Sequence, residues 1–411
     1  KIKDDYDIIL SQLPQLQPIV AKKHFHETGT QRIYQRFCLV LTNIKKAVEE
    51  IVRLDISPAS AGAFIFLCKT KEDTQKDFED KLKELSQIKF PKPVIIGTSK
   101  NFSEFFNYAL EIAALKRVKS TVDSIEGDAI AKRELNGRLT AYQNLLFNSL
   151  YLNFENADWT FNKSRVKEKN LSSIASIISN EVFSLTPIIQ NELVVRDRLS
   201  SMSMSGASNL LTKVFNNSHL KNLGMEGNPS EFGIYLSLIK SNNLHVKKGD
   251  EFVISIDNTN NKSIKIIYDE FLKLIKGSKE AVNVSDIYAH FVKQPYGIKI
   301  GLLPILIGIF FKATEASCAF YNKDEQGRES LITEFDQKIA ERLYHMPETL
   351  KIMFVKIEGE KQIILDEFKS YVEKNFLNNQ PIENPTPLYV LKPIVVKAYK
   401  LPNYSRKTRN F

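Results

Sequence analysis

Two histidines and a glutamate lie close together near the start of the chain, and residues of these types can bind a transition metal. His24 and His26 are separated by one residue, and Glu27 follows directly. In an extended strand the side chains of residues i and i+2 point to the same side, so both imidazoles would face one ion. The region lacks a third anchor such as the HExxH pattern. We therefore favour a loop that packs Phe25 over a metal site, and we predict no metal ligands.

A phosphate-binding loop requires the pattern GxxxxGK[ST], whose backbone N–H groups and lysine surround the phosphates. The chain has no such pattern, and its nearest candidate is the segment 97–100, between a predicted buried strand and a predicted helix. A helix N-terminus there could hold an anion, but an ordinary strand-to-helix turn is the favoured interpretation. The carboxylate pairs Asp4–Asp5 and Glu49–Glu50 are adjacent residues, which do not face each other on a helix. The sequence therefore predicts neither catalytic nor cofactor-binding residues in this segment.

The chain carries a net charge of +9, which permits an acidic partner such as nucleic acid. The strongest basic cluster is C-terminal, where no acidic residue occurs from position 388 onward. Lysine and arginine interleaved with tyrosine suit phosphate contacts and stacking on bases. The alternative, weighed as nearly equal, is a solvated helix face and a segment that packs on residues outside the chain. The candidate nucleic-acid contacts at this end are Lys392, Lys397, Lys400, Tyr404, Arg406, Lys407 and Arg409.

The first part of the chain alternates strand and helix patterns. The apolar runs 61–68 and 93–96 are typical of strands that are buried on both faces. Amphipathic helices are expected at 72–85 and 102–116, the second with Asn101 as its N-cap. This order predicts parallel strand pairing in an α/β domain, and the further strands that such a sheet needs are expected upstream of the chain.

The middle of the chain has the periodicity of amphipathic helices. Leucine and tyrosine recur at steps of three and four residues from Leu135 to Leu150, which places them on one helix face, and Asp128 is the expected N-cap. Further helices are predicted at 171–182, 187–199, 207–216 and 231–241, followed by a strand at 251–256 and a helix at 262–276.

The elements that follow have the order of a winged-helix unit. They are, in sequence, helices at 284–293 and 302–313, a hairpin of 317–321 with 330–333, a helix at 334–344 and a strand at 351–357. A DNA-reading helix presents polar side chains to base edges, whereas the second helix is almost entirely apolar. We therefore favour a scaffold over a base-reading role, and Lys293, Tyr296 and Lys299 form a candidate nucleic-acid contact patch beside this helix.

Three widely spaced cysteines, Cys38, Cys68 and Cys318, fit reduced thiols in a cytoplasm better than a disulfide framework. The longest apolar run, 300–311, is shorter than the roughly 20 residues that span a bilayer. We therefore expect a cytoplasmic protein without membrane contact. Because the chain begins at Lys1, we also expect it to be an internal piece of a longer protein.

The patterns together predict an α+β fold that is mostly helical. Helices at 363–376 and 388–400 end the chain. The predicted regions are a partial α/β domain at 1–120, a helical domain at 121–245, a winged-helix-like domain at 246–357, and C-terminal helices with a basic tail at 358–411.

Five phrases of the sequence, in the same order, give the chain a resemblance to a known family. They are 27–30 (ETGT), 186–193 (TPIIQNEL) continuing to 201, 223–232 (LGMEGNPSEF) with 234–238, 295–299 (PYGIK) leading into 303–306, and 401–409 (LPNYSRKTR). Together they resemble the middle of large bacterial P-loop proteins found among phage-defence genes, akin to BREX-type ATPases. The serine-rich run 202–208 departs from the alanine-rich run expected of that group.

The resemblance implies that the parent protein hydrolyses ATP with Mg²⁺ and acts on foreign DNA in a complex or oligomer with other defence-system proteins. The nucleotide site would lie outside this chain. The first hypothesis is therefore a non-catalytic scaffold or regulatory region of an antiviral ATPase, which binds partner proteins, with DNA contact left open. The alternative is a pure protein–protein assembly module. A third and least favoured hypothesis is an enzyme whose site uses the α/β part near Gly97.

Overall fold

A computed structural model of the chain describes residues 6–402, except 55, 57, 58, 71, 72, 100–102, 122–127, 325, 356–359 and 383–386. The expected N-cap Asn101 and the candidate contacts Tyr404, Arg406, Lys407 and Arg409 lie outside the described residues. The fold is α+β and mostly helical, which confirms the predicted fold class. The chain divides into two units, Lys1–Glu27 with Gln31–Val182, and Thr28–Thr30 with Phe183–Phe411. Below, these are called the N-terminal and the C-terminal unit.

The N-terminal unit is built around a six-stranded sheet in the order β1-β2-β3-β4-β5-β6. Strands β3 and β4 are parallel, as predicted, and β2, which the sequence analysis did not predict, is parallel to β3. Strands β1, β5 and β6 are antiparallel to their neighbours. The strands are β1 (Ile19–Val20), β2 (Ile33–Leu41), β3 (Gly62–Lys69), β4 (Val94–Thr98), β5 (Asp158–Phe161) and β6 (Ser164–Arg165). The helices are α1 (Tyr6–Ser11), α2 (Lys22–Thr28), α3 (Ile44–Arg53), α4 (Gln75–Leu85), α5 (Ser103–Thr121), α6 (Ala129–Asn156) and α7 (Leu171–Val182).

Helices cover both faces of this sheet, which explains why β3 is a continuous apolar run. Ile65 and Leu67 of β3 join the core beneath α3 and α4. Phe64 and Phe66 join the core on the other face, with residues of α5, α6 and α7. Because alternate side chains of a strand point to opposite faces, a strand covered on both sides needs apolar residues at every position.

Four further strands of this sheet, β1, β2, β5 and β6, lie within the chain, whereas the strands that complete it were expected upstream of the chain. β5 and β6 form a hairpin within a region predicted to be helical, so that part of the prediction was wrong. Ile96 and Gly97 of β4 pair with Thr160 and Trp159 of β5. The strand pattern of β5 was not recognised in the sequence, because β5 follows directly on a 28-residue helix. That helix begins as predicted, with the Asp128 carboxylate accepting hydrogen bonds from two backbone N–H groups at its start.

The C-terminal unit contains a four-stranded antiparallel sheet in the order β11-β10-β12-β9 and a separate hairpin of β7 with β8. Its strands are β7 (His245–Lys248), β8 (Glu251–Ile254), β9 (Val282–Asn283), β10 (Cys318–Lys323), β11 (Glu329–Leu331) and β12 (Leu350–Phe354). Its helices are α8 (Ser201–Asn216), α9 (Ser230–Ile234), α10 (Lys262–Gly277), α11 (Val284–Val292), α12 (Leu303–Thr314), α13 (Gln337–His345), α14 (Glu360–Phe376) and α15 (Pro387–Tyr399). A π-helical turn (Tyr235–Lys240) continues α9.

The predicted winged-helix order is present in this unit: α11 and α12 precede the β10–β11 hairpin, and α13 and β12 follow it. Two local predictions need correction. The segment 187–199 forms turns and bends, not a helix. Helix α8 begins at Ser201 and not near Ala207, because the Ser200 hydroxyl caps it by accepting a hydrogen bond from the Ser203 N–H at 3.2 Å.

Candidate functional site

The segment 186–199 is held by residues that are distant in sequence, which is why it does not form a helix. The Ile189 N–H donates to the Thr28 carbonyl at 3.0 Å. Gly29 packs against the same residue so closely that a Cβ atom on it would lie 2.0 Å from the Ile189 carbonyl oxygen. The backbone of Gly29 is left-handed, with φ of 75°. The ETGT phrase and the TPIIQNEL phrase are therefore joined backbone to backbone.

The PYGIK phrase, which follows about 100 residues later in the sequence, also contacts this segment. The Thr186 hydroxyl donates to the Tyr296 carbonyl at 2.7 Å, inside the core. The Gly301 N–H donates to the Arg196 carbonyl at 2.8 Å. The Lys299 ammonium lies 2.5 Å from the Asp197 carboxylate.

A fourth phrase contacts the segment through the hydroxyl group of Ser237. Asn191 donates from Nδ2 to the Ser237 hydroxyl at 2.5 Å. Nearby, the Ile188 N–H donates to the Ser263 hydroxyl at 2.9 Å, and Asn261 Nδ2 donates to the Ile188 carbonyl at 2.8 Å. Four of the five resembling phrases thus meet at 186–199 and act as polar cross-links of one unit; the fifth lies mostly outside the described residues.

The candidate patch beside α12 is only partly accessible. Lys293 is exposed, but Tyr296 is buried against the rings of His290 and Phe291, with ring centroids 5.3 and 5.1 Å away. The Lys299 side chain is 11% exposed because of its ion pair with Asp197. Burial, with a smaller contribution from the nearby Glu270 carboxylate, raises the pKa of Tyr296. The structure therefore does not present these three residues as one open basic surface.

The C-terminal lysines lie on α15 and just after it. Lys397 is exposed, and its ammonium lies 4.7 Å from the centre of the Phe376 ring on α14. Lys400 is exposed as well. Lys392 is partly buried and lines a cavity of about 490 Å³ in the C-terminal unit. The described lysines therefore do not share one environment.

That cavity has an aromatic floor that the sequence did not reveal. Phe215 of α8 stacks on Phe335 with ring centroids 3.7 Å apart, and Phe311 and Phe320 lie beside them. Lys312 and Glu315 form an ion pair at 2.8 Å on its edge, and both also line a neighbouring cavity of about 810 Å³ beside the β7–β8 hairpin. These residues come from three distant parts of the chain, so no local pattern signals their meeting.

Helix α12 occupies the position of a reading helix in the winged-helix order, and it is buried along its length. Every residue from Leu303 to Phe311 is buried. Helix α8 covers it at Gly308, where a Cβ atom would lie 2.4 Å from Leu211 Cδ2. An apolar helix covered in this way cannot place polar side chains on base edges.

The histidine pair is placed on a helix, so the assumption of an extended strand or loop was wrong. On α2, His24 is buried and His26 is exposed, and the two side chains point to different sides. His24 Nδ1 lies 2.5 Å from the Asn180 amide oxygen. Burial lowers the pKa of His24, and the hydrogen bond to Asn180 opposes this shift. Within the described part of the chain, no group of three or more His, Cys, Asp or Glu residues could hold a metal ion.

His245 is a buried polar residue that sequence analysis did not single out. Its Nδ1 lies 3.0 Å from the Tyr235 hydroxyl and its Nε2 lies 2.8 Å from the Ser218 carbonyl. A carbonyl can only accept, so Nε2 carries the proton and Nδ1 accepts from Tyr235. Burial lowers the pKa of His245 from its ordinary value of 6.5, although the hydrogen bond to Ser218 opposes this. The neutral imidazole is therefore the form that the folded unit stabilises.

We expect the C-terminal unit to lose stability as the pH falls below about 6.5, because unfolded His245 then takes up a proton more readily than folded His245. His245→Gln should weaken this pH dependence and, at pH 7.5, cost about 1 kcal/mol through the lost hydrogen bond. Both effects are measured by urea unfolding at pH 7.5, 6.0 and 5.0, with hydrogen exchange of residues 245–254 as the readout. His219→Gln, at an exposed histidine, is the control. Equal pH dependence in native protein and His245→Gln would contradict the assignment.

Gly97, considered above as part of an anion-binding turn, has a packing role. A Cβ atom there would lie 2.3–2.7 Å from the indole ring of Trp159 on the neighbouring strand. Trp159 is 1% exposed, and its ring lies edge-on to Phe64 with centroids 5.0 Å apart. The glycine therefore makes room for the indole.

The three cysteines are free thiols. Cys38 and Cys68 lie on adjacent parallel strands with their sulfur atoms 3.7 Å apart. Burial raises the pKa of Cys68, so its thiol is held protonated and unreactive.

Comparison of the chain with protein-family models, with curated proteins and with solved structures found no match. Among the described residues, no helix combines the length and apolar character that crossing a membrane requires.

Proposed function

We propose that this chain is a non-catalytic scaffold or regulatory region of a bacterial antiviral-defence ATPase, which contacts partner proteins and, through its basic residues, the DNA backbone. The observation that carries the proposal is the covering of α12 by α8 at Gly308. A winged-helix order whose reading helix is buried supports a role in holding other elements in place, not in reading bases.

The clustering of the resembling phrases at 186–199 supports the family part of the proposal. These phrases supply hydrogen-bond partners and a tightly packed glycine to one segment, which gives them a structural role in this chain. ATP and Mg²⁺ would then bind to the parent protein outside this chain. The excess of 57 Lys and Arg over 48 Asp and Glu supports sequence-independent attraction to phosphates.

The test is DNA binding as a function of salt. We expect weak, sequence-independent binding whose logarithm falls linearly with the logarithm of salt concentration, with a slope of about −0.9 per phosphate contact. Reversing the charges of Arg406, Lys407 and Arg409 to glutamate should reduce that slope by about 2 to 3. Fluorescence anisotropy of a labelled duplex between 50 and 300 mM salt measures it.

The matched control reverses three exposed charges of the N-terminal unit, Lys132, Arg133 and Lys167, so that both variants have the same net charge. If the two triple variants bind DNA alike, the basic C-terminal end is not a DNA contact. If neither they nor the native chain bind DNA at 50 mM salt, the DNA part of the proposal fails.

A pure protein–protein assembly module is the second candidate, and the exposed face of α14 favours it. Ile364, Phe368 and Tyr371 recur at steps of four and three on this helix and are 61%, 42% and 55% exposed. Apolar side chains in such a row are typical of a surface that another protein covers. Absence of salt-dependent DNA binding, together with partner binding that Phe368→Asp abolishes, would favour this module.

A further inference from the structure

A small cavity in the N-terminal unit lies on the α4 side of the sheet, where β4 ends. It has a volume of about 190 Å³. Its walls are the C-terminal half of α4, the end of β4 and the β5–β6 hairpin. In open α/β sheets, ligands bind beside the carboxyl ends of the parallel strands, and β4 is the last of the three parallel strands here.

The alternation of β5 directs its polar residues to this cavity. Trp159 and Phe161 are buried in the core on the opposite face of the sheet. Asp158 and Thr160, at the intervening positions, line the cavity. The same strand thus packs the core with one face and lines a polar cavity with the other.

Positive charge predominates in the lining. Lys83, Lys163 and Arg165 line the cavity, and Asp158 is its one acidic lining residue among those described. That carboxylate is already engaged, because Arg165 and Lys169 lie 2.6 and 3.1 Å from its Oδ1. Burial opposes ionisation of Asp158, but the hydrogen bonds from Lys169 and Arg165 outweigh it and lower the pKa. Lys83 also lies 3.6 Å from the Asp80 carboxylate, which does not line the cavity. The lining residues themselves carry a net charge of +2, because three cations face one carboxylate.

Lys163 has a left-handed backbone conformation, which is strained for a residue with a side chain. The hairpin turn places Asn162 and Lys163 in the left-handed region, with φ of 46° and 68°. Two-residue hairpins of this kind favour Asn-Gly, since glycine adopts positive φ without strain. In this chain lysine stands where glycine is favoured, and this lysine is one of the residues that line the cavity.

The remaining lining residues complete a site for a small oxyanion. Thr98 and Thr160 supply hydroxyl groups that can donate hydrogen bonds. The volume corresponds to about six water molecules at roughly 30 Å³ each. It is below the roughly 300 Å³ at which pockets for larger organic ligands begin, so it admits a phosphoryl group but not a whole nucleotide.

We propose that this cavity binds a phosphoryl group through Lys83, Lys163 and Arg165, either as free inorganic phosphate or as the terminal phosphate of a larger ligand. The site goes beyond the proposed scaffold function and does not depend on it. Of the C-terminal residues considered for DNA, the three that the structure describes, Lys392, Lys397 and Lys400, do not line it.

The test uses Trp159, the only tryptophan of the chain, whose fluorescence reports unfolding of the N-terminal unit. Inorganic phosphate, tripolyphosphate and ATP are added at constant ionic strength, with chloride as the reference anion. We expect each phosphate probe to raise the unfolding midpoint with the logarithm of its concentration, as a ligand of the folded state does. ATP binding more tightly than phosphate would assign the site to a larger ligand, and equal affinity would assign it to free phosphate.

The decisive variant is Lys163→Gly, because glycine suits the left-handed backbone of the turn and removes the ammonium group together with the rest of the side chain. We expect it to leave the midpoint without phosphate unchanged or raised, and to weaken phosphate binding about tenfold or more through loss of a charge-assisted hydrogen bond. Lys167→Gly, at an exposed lysine that does not line the cavity, should bind phosphate like the native chain. Equal phosphate affinity in Lys163→Gly and native protein, or a midpoint shift no larger than that from chloride, would overturn the proposal.

Discussion

Gly29→Ala is expected to lower the free energy of unfolding of the C-terminal unit by about 2–5 kcal/mol, the sum of left-handed strain and a steric clash. The added methyl group would lie 2.0 Å from the Ile189 carbonyl oxygen and 2.8 Å from its carbonyl carbon. Both are backbone atoms, so no side-chain rotation relieves the contact. Separating them would also stretch the hydrogen bond from the Ile189 N–H to the Thr28 carbonyl.

The matched control is Gly249→Ala in the turn between β7 and β8. Gly249 has φ of 65°, close to the 75° of Gly29, but no heavy atom lies within 4 Å of its Cβ position. This control carries the strain alone, for which about 1–2 kcal/mol is expected. The difference between the two variants is therefore the cost of the contact with Ile189.

Hydrogen exchange in urea measures this effect, because protection of the backbone amides of α12 reports the stability of the C-terminal unit. The two units need not unfold together, so a single transition should not be assumed. If Gly29→Ala costs no more than Gly249→Ala, the packing of the ETGT phrase on 186–199 is not a structural requirement. The role that we give to the clustered phrases would then be lost.

The second large effect is expected from Gly97→Ala, which should destabilise the N-terminal unit by about 2–3 kcal/mol through overpacking. The methyl group would lie within 2.3 Å of the Trp159 ring. The indole has little freedom to move, because it is fully buried between Phe64 and Phe154, with ring centroids 5.0 and 5.7 Å away. The pairing of β4 with β5 would have to open to accept the change.

Gly137→Ala is the control for this substitution, and its effect should have the opposite sign. Gly137 is exposed on α6, with no heavy atom within 4 Å of its Cβ position. Alanine in a helix interior is favoured over glycine by about 0.8–1 kcal/mol. Urea unfolding followed by Trp159 fluorescence measures both variants. A Gly97→Ala protein as stable as Gly137→Ala would show that the indole does not need the glycine.

A phosphate response and a DNA response would separate the two proposals cleanly. The phosphoryl cavity lies in the N-terminal unit, and the basic residues considered for DNA lie in the C-terminal unit. A chain that binds phosphate but not DNA would retain the phosphoryl site and lose the DNA part of the proposed function. A chain that binds DNA but not phosphate would retain the DNA contact and lose the phosphoryl site. The two outcomes are independent because the two tests use different variants.

Local patterns by themselves determined the α+β class, the parallel pairing of β3 with β4 and the winged-helix order. Each rests on properties of a short stretch: a continuous apolar run such as 62–68, a capping residue such as Asp128, or helical periodicity from Leu135 to Leu150. Such stretches satisfy most of their backbone hydrogen bonds within one element or between neighbouring elements. Their structure can therefore be inferred without knowing the rest of the chain.

The tertiary structure alone decided what the irregular segments do. Residues 187–199 have helical composition, yet Ile188 and Ile189 donate to Ser263 and Thr28, and these bonds replace those of a helix. The phosphoryl cavity likewise combines α4 with a hairpin that follows about 75 residues later. Partners so distant in sequence leave no periodic signal, because hydrogen bonds and charges between them depend on how the elements pack and not on spacing along the chain.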